Sequence, residues 1–289
     1  MKKNKKKILE KKILSIKNWR NPFIINGKKL KLNDNFNREW LHDFQIYKSL
    51  ILNRIIKTAV KLNSPKSIKK KSLLEIGSGE GYLSHNHLKL GLKSITGYEL
   101  RKESVYRANL IKNYYGSKKI KYINKNIEII KDSKKFDIVT ANGLLYHLSD
   151  IISVMEKISK LTNDILVISM FKHVDFSLTK LGFPDLSFTK TSTMRLNVED
   201  EKLVGSGYKP LVFVPSEKSI IKLLKNTNFK TVIRLYPYPK FRTNYINYSN
   251  FAFYVAFKKK LNINFDQNQN LQVKRNFNFF SKKDQFIVL

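Results

Sequence analysis

The residues best suited to chemistry begin with Leu73-Leu74-Glu75-Ile76-Gly77-Ser78-Gly79-Glu80-Gly81, an apolar run that enters a glycine-rich turn. Glycine reaches positive φ without steric penalty and lets a ligand approach the backbone closely. If Gly81 opens a helix, its first unpaired N–H groups favour an anionic ligand group. Gly77, Ser78, Gly79 and Gly81 are therefore a candidate ligand loop, opened by the acid Glu75. The spacing is Gly-x-Gly-x-Gly, distinct from the Gly-x-Gly-x-x-Gly of dinucleotide sites. A second acid, Glu99, closes Gly97-Tyr98-Glu99, eighteen residues beyond Gly81. At the carboxyl end of a second strand, such an acid accepts hydrogen bonds from both hydroxyls of a ribose. Asn126-Ile127-Glu128 stands after a third strand; Asn126 or Glu128 meets the base ring there, or the three form an ordinary loop. Asn142, Tyr146 and His147 follow a fourth strand and face the same crevice. His147 offers a neutral imidazole for general-base work near pH 7, or caps the helix that follows it. Tyr146 touches ligand or acceptor, or is a packed aromatic.

These residues need strands to carry them. Strand patterns fall at Ser72–Ile76, Ser94–Leu100, Ile120–Ile123, Phe136–Ala141 and Asp164–Phe171. Helix patterns fall between them, at Tyr82–Leu90, Lys102–Tyr115 (stopped by Gly116) and Ile151–Leu161. This alternation predicts a mostly parallel sheet covered by helices on both faces. A helix from Trp40 to about Asn63 precedes the first strand, and Pro65 disfavours its continuation. Residues 172–214 break the rhythm and read as a substrate lid insertion. It resumes with Ser216 as the N-cap of Glu217–Asn226, then strands at Thr231–Tyr236 and Phe251–Phe257. The expected organisation is a basic N-terminal arm and helical extension over 1–70, an α/β domain over 71–260, and a polar tail over 261–289.

Composition bounds the partners. The chain of 289 residues holds 56 Lys and Arg against 22 Asp and Glu, a formal net charge of +34. That suits RNA first, DNA second and an anionic membrane third. A Lys-, Asn- and Ile-rich composition also arises from an AT-rich coding sequence, and both explanations stand. The absence of cysteine excludes disulfides, Cys-based zinc sites and thiol nucleophiles. His85 and His87 are two apart on a helix and point to different faces, while His42 and His173 have no paired ligand, so no metal site is expected. No apolar run approaches the length of a membrane span. The broken apolar pattern of the first residues is not a signal peptide, and the expected location is cytoplasmic.

The loop, Glu99 and Gly143-Leu144-Leu145-Tyr146-His147 together resemble class I S-adenosylmethionine-dependent methyltransferases. The similarity is greatest to the branch that includes the tRNA wobble-uridine carboxymethyltransferase. That branch carries Trp-Arg-Lys-Gly-Pro-Phe where this chain has Trp19-Arg20-Asn21-Pro22-Phe23, and acid-Thr-Glu-Trp where it has Asn37-Arg38-Glu39-Trp40. It carries Gly-Val-Leu-Tyr-His at Gly143–His147, and aromatic-Ile-Pro-Ser at Phe213-Val214-Pro215-Ser216. The resemblance spans roughly residues 18 to 245. It implies an α/β, Rossmann-like, seven-stranded sheet whose last strand is antiparallel, with an N-terminal helical extension. It implies S-adenosyl-L-methionine as cofactor, held by Glu75, Gly77, Ser78, Gly79, Gly81, Glu99, Asn126, Ile127, Glu128, Asn142 and Tyr146. The branch grips the extra carboxylate of carboxy-S-adenosylmethionine with a Lys for which this chain has Asn21, and with a late Arg that Arg242 would match. Neutral Asn21 cannot make that charge-assisted contact, so ordinary methyl transfer is expected.

Methyl transfer is an in-line displacement in which the enzyme mainly supplies alignment and a dry site. His147 and Tyr146 are the candidate catalytic residues. The acceptor is RNA, tRNA above all, or a small molecule, sugar or lipid headgroup with 172–214 as its lid. For RNA, the basic arm, Lys69-Lys70-Lys71, Arg101-Lys102 and Tyr236–Tyr248 would bind phosphates and stack bases.

Overall fold

The structure is a computed structural model and describes residues 2–32, 39–64, 67–131, 133–172, 193–199, 209–236, 251–261 and 285–288. Among the described residues there is one large sheet of eight strands. In chain order these are β3 (Ser72–Ile76), β4 (Ser94–Glu99), β5 (Ile120–Asn124), β6 (Phe136–Asn142), β7 (Thr162–Phe171), β10 (Thr231–Tyr236), β11 (Phe251–Phe257) and β12 (Gln285–Val288). Two small hairpins supply the remaining strands, β1 (Ile24–Ile25) with β2 (Lys28–Lys29), and β8 (Met194–Val198) with β9 (Leu211–Pro215). The order in the large sheet is β12-β10-β11-β7-β6-β3-β4-β5. β3, β4 and β5 pair in parallel, whereas β11 is antiparallel to both β7 and β10. The Rossmann-like fold with a late antiparallel strand is therefore present. The seven-strand expectation needs one addition, because β12 extends the sheet by pairing antiparallel with β10.

The chain divides into two compact units, Met1–Thr140 and Ala141–Leu289. In the first unit, α1 (Lys2–Ser15) is not a loose arm. Ile13 is fully buried, in a cluster with Trp19, Phe23, Ile25, Leu30, Leu110, Ile111 and Tyr114, and Leu9 and Ile16 pack against it. Leu110, Ile111 and Tyr114 belong to α4 (Lys102–Tyr114), so apolar burial anchors the N-terminal segment to the helix that joins β4 to β5. The β1–β2 turn uses Asn26 and Gly27, both at positive φ, as a two-residue hairpin requires. The helix α2 (Glu39–Asn63) buries Ile51, Leu52, Ile55, Ile56 and Ala59, the spacing of one helical face.

In the second unit, α5 (Ile151–Leu161) buries Ile151, Val154, Met155, Ile158 and Leu161 and is capped by Asp150, whose carboxylate accepts from Ser153 N–H at 3.0 Å. Ser216 caps α6 (Glu217–Asn226) in the expected way, accepting from Ser219 N–H at 3.2 Å. β11 is buried along its whole length and β7 from Ile165 to Met170. The 172–214 segment contains more order than its sequence suggests, because β8 and β9 pair from Met194↔Pro215 to Val198↔Leu211. Residues 173–192 and 200–208 of that segment, His173, Arg242, and most of the 236–248 and 261–289 stretches lie outside the described residues.

Candidate active site

In the first unit, β3 delivers Glu75 and Ile76 into the glycine turn, and α3 (Tyr82–His87) leaves it. Gly77, Gly79 and Gly81 have φ of 71°, 53° and 81°. All three occupy the left-handed region that side chains with a Cβ resist, which is why glycine recurs at this spacing. A Cβ at Gly81 would also run into the Tyr122 ring, whose hydroxyl donates to Gly81 O at 3.2 Å. Burial pushes the Tyr122 hydroxyl far above its ordinary range, so it stays a neutral donor. The loop is further tied to β4, because Gly77 N–H and Ser78 N–H both donate to Tyr98 O, at 2.8 and 3.1 Å.

Glu99 stands at the end of β4, where one carboxylate oxygen accepts from Gly79 N–H at 2.8 Å and the other from Arg101 N–H at 2.9 Å. The acid and the loop are therefore in direct contact. Each carboxylate oxygen has a second lone pair for a ligand hydroxyl. The buried Ser78 hydroxyl has no hydrogen-bond partner among the described residues.

Glu75 is buried, and Ser84 in the first turn of α3 donates to it. Burial pushes its carboxyl up to about 7, against the pull of the Ser84 hydrogen bond and the attraction of Lys48. Lys48, from α2, is 8% exposed and lies over the Phe44 ring at 5.7 Å. Burial lowers its ammonium to about 8, opposed by Glu75 and reinforced by Arg20. Glu75 and Lys48 are thus a buried acid and a buried base that attract each other. Sequence reading missed Lys48, because a lysine in a helix ordinarily reads as a solvated one.

Glu80 completes this side. It accepts from Arg20 N–H at 2.9 Å and from the Asn21 amide at 3.2 Å, and pairs with Arg107 at 3.1 Å. Trp19, Phe23 and Tyr82 form an edge-to-face chain, with centroids 5.9 and 5.3 Å apart. The Trp19–Phe23 segment is thereby locked onto the ligand loop, with the Asn21 amide committed to Glu80.

Asn126, Ile127 and Glu128 lie in a turn just after β5. Asn126 Oδ1 accepts from Glu128 N–H at 2.9 Å, and Ile127 is buried. His87 is buried against Asn53, with Nδ1 2.6 Å from Oδ1, and burial lowers it to about 3, whereas His85 stacks on Tyr115 at 4.4 Å.

The second unit holds the rest. Asn142 ends β6 and is 9% exposed. Its Oδ1 accepts from Ser169 at 3.0 Å, and its amide nitrogen is buried without an acceptor among the described residues. Gly143 turns the chain at φ 71°, and a short helical turn at Leu145–His147 presents Tyr146 and His147. His147 does not cap α5, a task that belongs to Asp150. Its Nδ1 lies 2.7 Å from Glu199 Oε1. Sequence reading did not single out Glu199, which directly follows β8.

Three comparisons bear on this arrangement. Residues 49–233 match a family model described as a methyltransferase domain. The chain is 32% identical over 150 residues to a ubiquinone biosynthesis O-methyltransferase of Pelagibacter ubique, covering 47% of this chain and 60% of that one. It is 31% identical over 159 residues to a tRNA U34 carboxymethyltransferase of Nautilia profundicola, covering 54% and 46%. The matches thus span about half of the length of these relatives. Among solved structures, the N-terminal domain of EvdMO1 in the presence of S-adenosylhomocysteine and D-fucose aligns with a TM-score of 0.61 at 17% identity, over 89% of this chain and 96% of that one. A Burkholderia thailandensis 1,6-didemethyltoxoflavin-N1-methyltransferase with bound S-adenosylhomocysteine aligns at 0.51 and 16% identity, over 78% and 85%. At these identities the structures speak to the fold.

Proposed function

Starting from a chain that belongs to the methyltransferase-domain family, and is an S-adenosylmethionine-dependent methyltransferase, we propose that its acceptor is RNA, with tRNA first. The observation that carries this is the ordered cationic helix α1. Ile13 and Leu9 hold it in the core, Lys6 and Lys12 lie over the Tyr114 and Tyr106 rings at 4.9 and 5.3 Å, and Lys5, Lys7 and Lys11 are exposed. Exposed lysines on an anchored helix suit contact with phosphates, in a chain of net charge +34. The likeness to a tRNA-modifying relative supports the same reading.

In this reading the glycine loop lies against the cofactor and Glu99 accepts the ribose hydroxyls. Asn126 or Glu128, with Ile127, borders the adenine. Glu75 and Lys48 match the two ends of the cofactor's amino-acid zwitterion, the acid facing the ammonium and the base the carboxylate. Tyr146 and Asn142 serve the acceptor, and His147 takes the acceptor's proton. The transferred group is methyl rather than carboxymethyl, since Asn21 is neutral and its amide is spent on Glu80. Mass spectrometry of the co-purified ligand should find no carboxylated form.

Filter binding of bulk tRNA tests the acceptor. Affinity should fall steeply, about 10³-fold or more, between 50 and 200 mM salt. No binding at low salt refutes the RNA reading. A second reading, a small hydroxyl-bearing acceptor, is favoured by the likeness to an O-methyltransferase. It would take over in that case. For the described residues, no helix is long and apolar enough to cross a membrane.

A further inference from the structure

The second unit contains a side-chain pair that no motif announces. His147 and Glu199 are 20% and 16% exposed, and their contact is 2.7 Å. Backbone hydrogen bonds hold both partners. His147 N–H donates to Leu144 O at 2.9 Å, Glu199 N–H donates to Pro210 O at 2.7 Å, and Phe213 N–H donates to Leu148 O at 3.0 Å. The last of these ties β9 to the residue after the histidine. The β8–β9 hairpin therefore places Glu199, and not a mobile surface acid, against the ring. An ionised carboxylate only accepts, so Nδ1 carries the hydrogen and the lone pair of the neutral ring lies on Nε2.

The surroundings are aromatic. The Tyr146 ring is 4.2 Å from that of His147 and 5.5 Å from Phe171, which is in turn 5.0 Å from Phe251. Phe171, at the end of β7, is 39% exposed. Such a wall suits a flat ring laid against it.

We propose that His147 and Glu199 form a general-base pair for a hydroxyl acceptor presented on a flat ring. His147 is the catalytic residue and Glu199 its positioning residue. This deepens the methyltransferase reading and rests on it. As the acceptor oxygen attacks, the O–C bond to the methyl carbon forms and the S–C bond breaks. The electron pair of the S–C bond stays on sulfur, and S-adenosylhomocysteine leaves as a neutral thioether. The acceptor proton passes to Nε2, and the Glu199 carboxylate stabilises the imidazolium. A hydroxyl needs this help near neutral pH, whereas an unprotonated amine does not. The ring can belong to a nucleoside of RNA or to a free phenol.

The test uses the full chain, radiolabelled S-adenosylmethionine, and two probes, bulk tRNA and 3,4-dihydroxybenzoate, between pH 5 and 9. The rate on a labelled probe should climb across the range where histidine loses its proton, about pH 5 to 8, and then level. His147→Asn should lower it by about 10² to 10⁴-fold while S-adenosylhomocysteine affinity stays within about twofold. Glu199→Gln should slow transfer and move the rising limb to lower pH, because the imidazolium loses its carboxylate. A merely structural glutamate would not move that limb. Labelled tRNA supports both proposals. Labelled 3,4-dihydroxybenzoate alone upholds the pair and overturns the RNA reading. If S-adenosylhomocysteine binds but neither probe is labelled, the ring-hydroxyl acceptor is overturned. A flat pH profile, or His147→Asn within about threefold of the wild type, overturns the pair. Should His147→Asn fail to bind S-adenosylhomocysteine, nitrogen NMR of the wild-type ring decides. Hydrogen on Nδ1 is expected, and hydrogen on Nε2 overturns the pair.

Discussion

Lys48→Met should make the ligand-free protein more stable and the cofactor complex weaker. The ammonium of Lys48 is brought from 10.5 to about 8, mainly by burial. Holding it charged at pH 7 therefore costs the fold about 3 kcal/mol, at about 1.4 kcal/mol for each tenfold change in proton affinity. Methionine fills a similar unbranched volume with no charge to desolvate. Part of the gain is lost, because Glu75 gives up an attracting cation and is held still more firmly in its neutral form. A net stabilisation of about 2 kcal/mol at pH 7 is expected. The sign with pH is fixed. The folded value lies below the unfolded one, so the unfolded chain binds this proton more tightly between about pH 8 and 10.5. Wild-type stability gains from this group as pH rises through that window, and the gap to Lys48→Met closes by about its upper end. Urea denaturation of both proteins without cofactor, at pH 7 and near pH 10.5, measures the gap. Calorimetry should then find S-adenosylhomocysteine bound about tenfold more weakly by the variant, and adenosine, which lacks the carboxylate, bound unchanged. A gap that persists at high pH refutes the desolvation argument. Equal losses for both ligands refute the assignment of Lys48 to the carboxylate.

Glu75 should make cofactor binding pH-dependent. Its carboxyl is pushed up to about 7, so the ionised form that grips the ligand ammonium gains as pH rises through that value. S-adenosylhomocysteine affinity should increase from pH 6 to 8 and lose most of that slope in Glu75→Gln, by calorimetry at each pH. Glu99→Ala removes two acceptors for ribose hydroxyls and the brace on Gly79 N–H. Affinity should fall about 10²-fold, in line with hydrogen bonds to a charged group. An unchanged constant would contradict the ribose role.

The glycine loop and Glu99 were legible because their signal is local. Positive φ at Gly77, Gly79 and Gly81 demands a residue type at a fixed spacing, and the acid follows one crossover later. The strand and helix patterns of the sheet were legible for the same reason, since β3, α5, α6, β10 and β11 take the predicted residues. What escaped depends on distant pairing. Glu199 meets His147 across 52 residues of chain, in a segment with little periodicity. β12 is four residues, Gln285–Val288, in a tail otherwise rich in Asn and Lys, and it pairs with β10. The sequence marks the N-terminal segment as a basic arm, because lysines surround Leu9 and Ile13. Burial of those two side chains against α4 outweighs that charge.

The same distinction bears on the net charge. A coding bias adds lysines without regard to place, and the structure separates those that have acquired a place from those that have not. Lys71 pairs with Asp137 at 3.5 Å. Arg107 joins Glu80 and Glu103, and the 1%-exposed Arg234 pairs with Glu217. These cations hold the fold together and have no charge to spare for a polyanion. Within α1, Lys6 lies over the Tyr114 ring at 4.9 Å and Lys12 over the Tyr106 ring at 5.3 Å, whereas Lys5, Lys7 and Lys11 are exposed on a helix fixed by its apolar side. Composition bias explains their number. It does not explain why a 14-residue helix of mostly charged side chains is anchored at Ile13 instead of left as a solvated tail. A rigid row of charge loses less entropy on meeting phosphates than a flexible one, so anchoring is the feature expected of a binding surface and not of drift.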